Sequence, residues 1–305
     1  IWKEANKRFD EYGNDKEVGT NGFYAMKAHW SEHPDRDQVW ADAEKARIGE
    51  ERFRREHECE FLIYDETLIS STHLVDMEGS TPVETTGQVR WFKRPTPGNT
   101  YLTSLDPAMG TGGDYAAIQV FELPSFEQVA EWHHNTTPKN HQVRILQQIN
   151  KHIHDAIMDK DTTASPQIFY SMENNSIGEA ALLRVMDIGE ENIPGMFLSE
   201  PIRKGHRRKF RRGFNTTAKH KIDACTKFKE LVENDKMKLN SQLLISELKD
   251  FVASGMSYSA KAGQHDDLVS ACLLMTRMIK TLADFDPKIF EKWTDRTSEL
   301  KPMPV

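Results

Sequence analysis

The stretch Thr100-Tyr101-Leu102-Thr103-Ser104-Leu105-Asp106, residues 100–106, is a strand pattern that ends in an acidic side chain. Two further stretches rich in β-branched and aromatic residues follow at 116–123 and 128–134, after the turn sequences Gly110-Thr111-Gly112-Gly113 and Pro124-Ser125. Such runs favour strands, and turn residues between them favour hairpins. We therefore predict an antiparallel three-stranded meander, with a tight hairpin turn at the glycines.

The elements after this meander predict an α/β fold class. Apolar residues recur with a helical spacing over 141–157, and a strand pattern follows at 167–172, which indicates a strand-helix-strand crossover. The remaining patterns predict a helix at 176–186, a short strand at 196–199, and helices at 216–233 and 268–282. The predicted order is thus βββ-α-β-α-β-α-α.

The N-terminal part of the chain has a different character. Residues 1–69 are polar and mostly helical in pattern, with Trp30, Trp40 and Phe53 as apolar anchors. Between 70 and 98 the composition shifts to Ser, Thr, Gly and Pro, which is typical of a linker. We predict a small, mostly helical segment at 1–69, a linker at 70–98, an α/β domain at 99–284 and a C-terminal tail at 285–305.

The composition of the 305-residue chain is that of a soluble globular protein, with 38% hydrophobic and 29% charged residues. No apolar run approaches the roughly 20 residues that a membrane span needs, and the N-terminus lacks the basic-then-apolar order of a signal peptide. We therefore expect no membrane partner. The chain opens at Ile1 without an initiator Met, from which we expect a processed or truncated fragment.

The three cysteines, Cys59, Cys225 and Cys272, are odd in number, widely spaced and never in a C-x-x-C pattern. This usage indicates a reducing compartment and argues against a zinc site. We expect the cysteines to be small core residues.

Positive charge is concentrated in one stretch of a chain whose formal net charge is −7. Residues 203–212 contain seven basic side chains and no acidic one, and Lys219 and Lys221 follow just beyond. Such a stretch can hold a nucleic-acid backbone through phosphate contacts, which give affinity without sequence choice. The alternative is a disordered run of charge. The residues predicted to bind DNA are Arg203, Lys204, Arg207, Arg208, Lys209, Arg211, Arg212 and Lys219.

Acidic side chains occur at three distant points of the predicted fold. Asp106 and Glu173 each end a strand pattern, and His265-Asp266-Asp267 opens the last helix. Carboxylates that converge by folding can hold divalent cations, and two cations ~4 Å apart promote phosphodiester hydrolysis. Asp106 would then bridge both ions, Glu173 would hold one and Asp267 the other. Only hard oxygen ligands suit Mg²⁺ or Mn²⁺.

Ordinary structural roles for these acids stay open. Asp106-Pro107 followed by glycines is compatible with a simple turn. Glu173-Asn174-Asn175-Ser176 is compatible with a cap for the next helix, and Asp266-Asp267 with a cap for the last one. His265 is compatible with a proton shuttle or with a solvated histidine at a helix start.

The order of elements and acids resembles the ribonuclease H-like nuclease fold, with a mixed central sheet of three antiparallel strands followed by parallel strands, and helices on both faces. More specifically, three motifs resemble those of the large terminase subunit of tailed phages, especially the T4-like group. They are Leu-Asp-Pro-Ala-Met-Gly-Thr-Gly-Gly-Asp-Tyr at 105–115, Met-Glu-Asn-Asn-Ser-Ile-Gly at 172–178, and His-Asp-Asp-Leu-Val at 265–269. Upstream, Trp30, His33-Pro34-Asp35-Arg36, Trp40 and residues 56–62 resemble the end of that family's packaging ATPase.

This resemblance implies that Asp106, Glu173 and Asp267 are catalytic acids and metal ligands. Asp114 matches a further acid of the family and would be an auxiliary ligand, with Asp266 as a neighbouring one. Successive residues at a helix start point about 100° apart, so only one of Asp266 and Asp267 can face the ions directly.

The implied activity is that of an endonuclease that uses two Mg²⁺ or Mn²⁺ ions to cut concatemeric double-stranded DNA with little sequence specificity, in the host cytoplasm during virus assembly. The implied partners are the DNA, the portal and the small terminase subunit, the last two through the tail at 285–305; the alternative for that tail is loose packing. Residues 1–69 would be the remnant of an ATPase domain. Since the chain contains no G-x-x-x-x-G-K-[ST] loop, we expect no ATP hydrolysis from this fragment, whereas the full-length protein would also be the packaging motor.

Two alternatives remain. One is another ribonuclease H-like nuclease, such as a junction resolvase or a transposase, although the upstream similarity argues against it. The other is a non-catalytic DNA-binding assembly module that keeps the fold while its carboxylates cap helices.

Overall fold

The computed structural model describes residues 18–19, 22–24, 26, 28–59, 66–175, 178–200 and 212–285. The chain divides into two compact units, residues 1–63 and 64–305. Residues 60–65, within the N-terminal segment predicted at 1–69, and the tail at 286–305 lie outside the described residues.

The first unit is helical, as predicted, over its described part. A short 3₁₀ turn at Trp30–Glu32 precedes helices α1 (Gln38–Ile48) and α2 (Glu50–His57). The side chain of Asp37 accepts a hydrogen bond from Trp40 N (2.8 Å) and so caps α1. Trp30, Trp40 and Phe53 pack together with ring centroids 6.0–6.1 Å apart, which confirms them as the anchors of this unit.

The second unit is built on a seven-stranded mixed sheet with the strand order β1-β2-β5-β4-β3-β6-β7. Strands β3, β4 and β5 form the predicted antiparallel meander, whereas β6 and β7 run parallel to β3. The strands are β1 (Glu84–Thr86), β2 (Val89–Trp91), β3 (Thr100–Asp106), β4 (Ala116–Leu123), β5 (Glu127–His134), β6 (Gln167–Met172) and β7 (Met196–Phe197).

Helices cover both faces of this sheet. They are α3 (Ser71–Asp76), α4 (Lys139–Lys160), α5 (Gly178–Ile188), α6 (Ala218–Glu233), α7 (Gln242–Asp250) and α8 (Asp267–Phe285). Successive strand residues point to opposite faces. Accordingly, Thr103 Oγ1 donates to Asn150 Oδ1 of α4 (2.8 Å), whereas Ser104 Oγ donates to the Ala271 carbonyl of α8 (2.8 Å).

The core follows the apolar pattern of the sequence. All of β4 is buried, as expected for a strand covered on both faces. One face of α4 is buried against the sheet through the predicted positions Val143, Leu146, Ile149, Ile153 and Ile157. Cys225 and Cys272 are free and buried and Cys59 is free and partly buried, which agrees with the expectation of small packing residues.

The structure corrects several details of the predicted organisation. The stretch 70–98, predicted as a linker, contributes α3, β1 and β2, and β2 pairs with β5; it is part of the folded second unit. Helix α7 and the hairpin of β8 (Phe251–Ser254) and β9 (Ser257–Ala260) were not expected. The connection between β3 and β4 spans residues 107–115 and is therefore longer than a tight hairpin turn. No described helix is long and apolar enough to cross a membrane.

Candidate active site

Asp106 and Glu173 lie side by side because the strands that carry them are neighbours and parallel. Leu105 of β3 is in register with Met172 of β6, and Glu173 N donates to the Leu105 carbonyl (3.1 Å). Parallel strands bring their carboxyl ends to the same edge of a sheet, which is where ligands bind in open α/β folds. The predicted pairing of these two acids is therefore realised, and both side chains are half-buried.

Glu173 does not cap the next helix, which was the alternative role for this stretch. The cap comes from Asn175, whose Oδ1 accepts from Gly178 N at the start of α5 (2.8 Å). The other end of the same amide, Asn175 Nδ2, donates to Glu173 Oε2 (3.0 Å) and orients the carboxylate. Gly178 lies against the Glu173 carbonyl. A Cβ added at this position would be 1.9 Å from that oxygen, so the close approach requires glycine.

The last helix, α8, begins with Asp267, and its first N–H groups are capped by a residue from another helix. Glu247 Oε2 of α7 accepts from Leu268 N (2.9 Å) and Val269 N (3.2 Å). Neither Asp266 nor Asp267 therefore provides this cap. Asp267 Oδ2 instead accepts from Tyr115 N (3.3 Å), and Asp266 Oδ2 lies 3.7 Å from Lys221 Nζ.

The electrostatics of the site reflect crowded acidic groups. Burial raises the pKa of Asp106 well above its usual range, and the nearby Glu173 carboxylate raises this pKa further, followed by Asp267 and Asp266. Burial also raises the pKa of Asp267 to about 6, although the hydrogen bond from Tyr115 N opposes the shift. Neighbouring negative charges disfavour ionisation of one another. A bound cation would relieve this repulsion.

The charges of Glu173, Asp266 and Asp267 influence Asp106. The four side chains are not, however, arranged as a complete set of ligands around one metal position. Across the described ranges, no group of three or more His, Cys, Asp or Glu side chains is arranged to hold a metal ion. Asp106 and Glu173 line a common cavity, whereas Asp266 and Asp267 are not among its lining residues. The donors are all carboxylate oxygens, the ligand type that suits Mg²⁺ and Mn²⁺.

The cavity beside the acid pair has a volume of about 220 Å³. Besides the two acids, its wall carries polar and cationic groups from α6, from α8 and from Thr216, two residues before α6. Arg277 Nη1 donates to Thr216 Oγ1 (3.1 Å), and the same guanidinium is ion-paired with Glu200. The lining residues are Asp106, Glu173, Thr216, His220, Lys221, Ala224, Ser270, Leu273, Leu274 and Arg277.

Asp114, the predicted auxiliary ligand, is exposed in the connection 107–115. Its charge contributes to the raised pKa of Asp267. The structure therefore places Asp114 on the Asp267 side of the site.

Most of the predicted DNA-binding residues, Arg203, Lys204, Arg207, Arg208, Lys209 and Arg211, lie outside the described residues, and their role stays a prediction. Arg212 is ion-paired with Glu190, and its carbonyl accepts from Asn174 Nδ2 (2.9 Å). Lys219 is exposed on α6. The residues that flank positions 201–211 are joined by a backbone hydrogen bond, in which Glu200 N donates to the Gly213 carbonyl (3.2 Å). The next residue, Phe214, pairs with Glu173.

A layer of side chains behind Asp267 had not been expected from the sequence. Tyr115 stacks on His133 with ring centroids 4.1 Å apart, and it contacts His265 edge-on at 4.9 Å. Burial lowers the pKa of His133 to about 4, and burial raises the pKa of Glu247 to about 9. His265 Nδ1 lies 3.6 Å from Asp267 Oδ2, so His265 adjoins the site. In the sequence, the signal for this layer was limited to the positions of Tyr115, which follows Asp114, and His265, which precedes Asp266.

Comparison with known proteins places this site in context. The family model described as the terminase RNaseH-like domain matches residues 103–278, a span that includes Asp106, Glu173 and Asp267. The chain is similar to the large terminase nuclease of thermophilic phage G20c, solved with bound magnesium, with a TM-score of 0.51 and 16% sequence identity over 70% of this chain and 97% of that chain. The structure of that nuclease with bound cobalt gives the same values, 0.51 and 16% over 70% and 97%. These likenesses confirm the predicted ribonuclease H-like fold.

Proposed function

The chain belongs to the terminase RNaseH-like domain family, and on that premise we propose that it is a metal-dependent endonuclease that cuts double-stranded DNA. The observation that carries this proposal is the pair Asp106 and Glu173, which lie at the ends of neighbouring parallel strands and line one cavity. Burial and the charge of Glu173 raise the pKa of Asp106, and ionisable groups perturbed in this way cluster at functional sites. Asp267 adds a third negative charge within range of Asp106.

The proposed cofactor is Mg²⁺ or Mn²⁺, with two ions bound during catalysis. Asp106, Glu173 and Asp267 would hold the ions, with Asp114 and Asp266 as auxiliary ligands. The all-oxygen donor set supports this choice, and the related phage nuclease has been solved with bound magnesium. The bound ions would supply an activated water and neutralise charge on the leaving oxygen.

The chain's own residues hold the acids in place and supply positive charge beside them. Asp106 is fixed at the end of a strand with a neighbour on each side, and Asn175 holds the Glu173 carboxylate. Lys221 and Arg277 bring positive charge to the wall of the same cavity. Their placement suits attraction and orientation of a phosphate group next to the acids.

The proposed substrate is concatemeric double-stranded DNA, cut with little sequence preference. The basic segment at 203–212 supports this part, since contacts from basic side chains to phosphate carry no sequence information. We further propose the portal and the small terminase subunit as assembly partners and the host cytoplasm as the location, on the strength of family membership.

The test is cleavage of supercoiled plasmid DNA with Mn²⁺ or Mg²⁺, comparing the wild type with Asp106→Asn. We expect the wild type to nick and linearise the plasmid, and the variant to lose cleavage by at least about 100-fold while its circular dichroism spectrum is unchanged. Asp187→Asn is the matched control because the Asp187 side chain is 70% exposed and lies on α5; it should cut like the wild type.

The same experiment separates the enzyme from the alternative of a non-catalytic DNA-binding module. A folded wild type that retards DNA in a gel and never cuts it, with either metal, would contradict the proposed activity. Cleavage that persists in Asp106→Asn would instead show that the reaction does not depend on this acid.

A further inference from the structure

The N-terminus of α8 has an unusual cap. A helix start leaves N–H groups without partners, and the side chain of the residue just before the helix normally accepts from the second or third of them. Asp266 occupies that preceding position. Both bonds are nevertheless made by Glu247, from the neighbouring helix α7, to Leu268 N (2.9 Å) and Val269 N (3.2 Å).

Because Glu247 makes these two bonds, the Asp266 carboxylate is available for other contacts. Asp266 Oδ2 is 3.7 Å from Lys221 Nζ, a residue that lines the cavity with Asp106 and Glu173. Both Asp266 and Asp267 lie within electrostatic range of Asp106. If Asp266 capped its own helix, its carboxylate would be held against the backbone N–H groups of the first turn instead of lying beside Lys221.

The surroundings of Glu247 hold it firmly. Its side chain is 11% exposed, and its second oxygen, Oε1, lies 3.7 Å from His133 Nε2. His133 in turn stacks on Tyr115, whose backbone N–H donates to Asp267 Oδ2. The cap and the stack therefore both converge on the first residues of α8.

We propose that Glu247 is a positioning residue, which fixes the first turn of α8 and with it the directions in which the Asp266 and Asp267 carboxylates point relative to the cation site. This inference rests on the proposed metal-dependent function and names a residue outside the predicted ligand set. Residues that orient metal ligands from behind typically change metal affinity by 10–100-fold when they are altered.

The test measures Mn²⁺ affinity by calorimetry without DNA, together with amide hydrogen exchange at Leu268 and Val269. We expect Glu247→Ala to weaken Mn²⁺ binding by about 10-fold or more and to speed exchange at both amides. Glu247→Gln keeps the shape and an acceptor oxygen, so its affinity should stay within about 3-fold of the wild type.

Asn150→Ala is the matched control, because it also removes two hydrogen bonds from a buried side chain, the bonds with Thr103 Oγ1 (2.8 Å) and the Pro194 carbonyl (3.0 Å). It should lower the unfolding midpoint and leave Mn²⁺ affinity unchanged. A purely structural role for Glu247 would give Glu247→Ala this same profile, and that result would overturn the inference.

Two further outcomes are distinguishable. If Glu247→Ala does not fold, Glu247→Asp replaces it, since the shorter side chain cannot keep both amide bonds; wild-type Mn²⁺ affinity in this variant would overturn the inference. If the folded wild type binds no Mn²⁺ or Mg²⁺, the proposed function fails first. If the wild type binds metal and Glu247→Ala binds it with the same affinity, the proposed function stands and only the role of Glu247 is overturned.

Discussion

Replacing Asp267 with Asn should stabilise the metal-free protein while it removes a proposed ligand. Burial holds the pKa of Asp267 at about 6, against an ordinary value of 3.8. At pH 7.5 the carboxylate is ionised in both the folded and the unfolded chain, so the folded state bears the full cost of this shift. A difference of about two pKa units corresponds to about 3 kcal/mol, and the Asp267 side chain is only 15% exposed.

The sign of the pH dependence follows from the raised pKa. Below pH 3.8 Asp267 is protonated in both states, and the folded protein retains this proton until about pH 6. The advantage of the folded state is therefore lost as the pH rises through 6. The excess stability of Asp267→Asn should be about 1 kcal/mol at pH 4.5 and grow to about 3 kcal/mol at pH 7.5.

The assay is thermal and urea unfolding in EDTA over pH 4.5–8. At pH 7.5 we expect Asp267→Asn to unfold roughly 6–12 °C higher than the wild type. Added Mn²⁺ should raise the midpoint of the wild type more than that of the variant, because ligand binding stabilises only the state that binds. A variant that is no more stable than the wild type in EDTA at pH 7.5 would refute the claim that burying the charged Asp267 destabilises the folded state. Asp187→Asn serves as the exposed control.

Three further results are expected. Gly178→Ala should cost about 1–3 kcal/mol in urea unfolding and weaken Mn²⁺ binding, because the added Cβ would meet the Glu173 carbonyl at 1.9 Å; unchanged metal affinity would argue against this packing. Lys219→Ala should reduce the slope of log affinity against log salt concentration for DNA binding by about 1, equally for unrelated DNA sequences, as measured by fluorescence anisotropy. Lys227→Ala, in which the lost side chain is paired with Glu230, should change this slope less. EDTA should abolish plasmid cleavage and leave DNA retardation intact, with activity restored by Mg²⁺ or Mn²⁺; cleavage in excess EDTA would contradict a metal requirement.

The main sheet and the positions of two acids could be predicted because their signals are local. β3 and β6 are regular apolar strands, and Asp106 and Glu173 come directly at their ends. Parallel neighbours must then place these residues at one edge. The periodicity of α4 likewise predicted its buried face.

Other parts left no local signal. β1 and β2 have three residues each, and β1 is mostly exposed, so propensity alone suggested a linker. The cap by Glu247 and the cavity wall formed by Lys221 and Arg277 depend on where remote helices pack. A lone Glu on the short helix α7 is not distinguishable in sequence from a solvated residue, and only tertiary structure shows its partners.

The hydrogen bond between Glu200 N and the Gly213 carbonyl has an evolutionary consequence. It brings residues 200 and 213 together, and the adjacent Phe214 pairs with Glu173. Because this backbone bond and the pairing of Phe214 do not involve residues 203–211, we expect substitutions in that basic stretch to leave the acid pair in place. Selection would then act on the proposed DNA affinity and on the proposed hydrolysis separately.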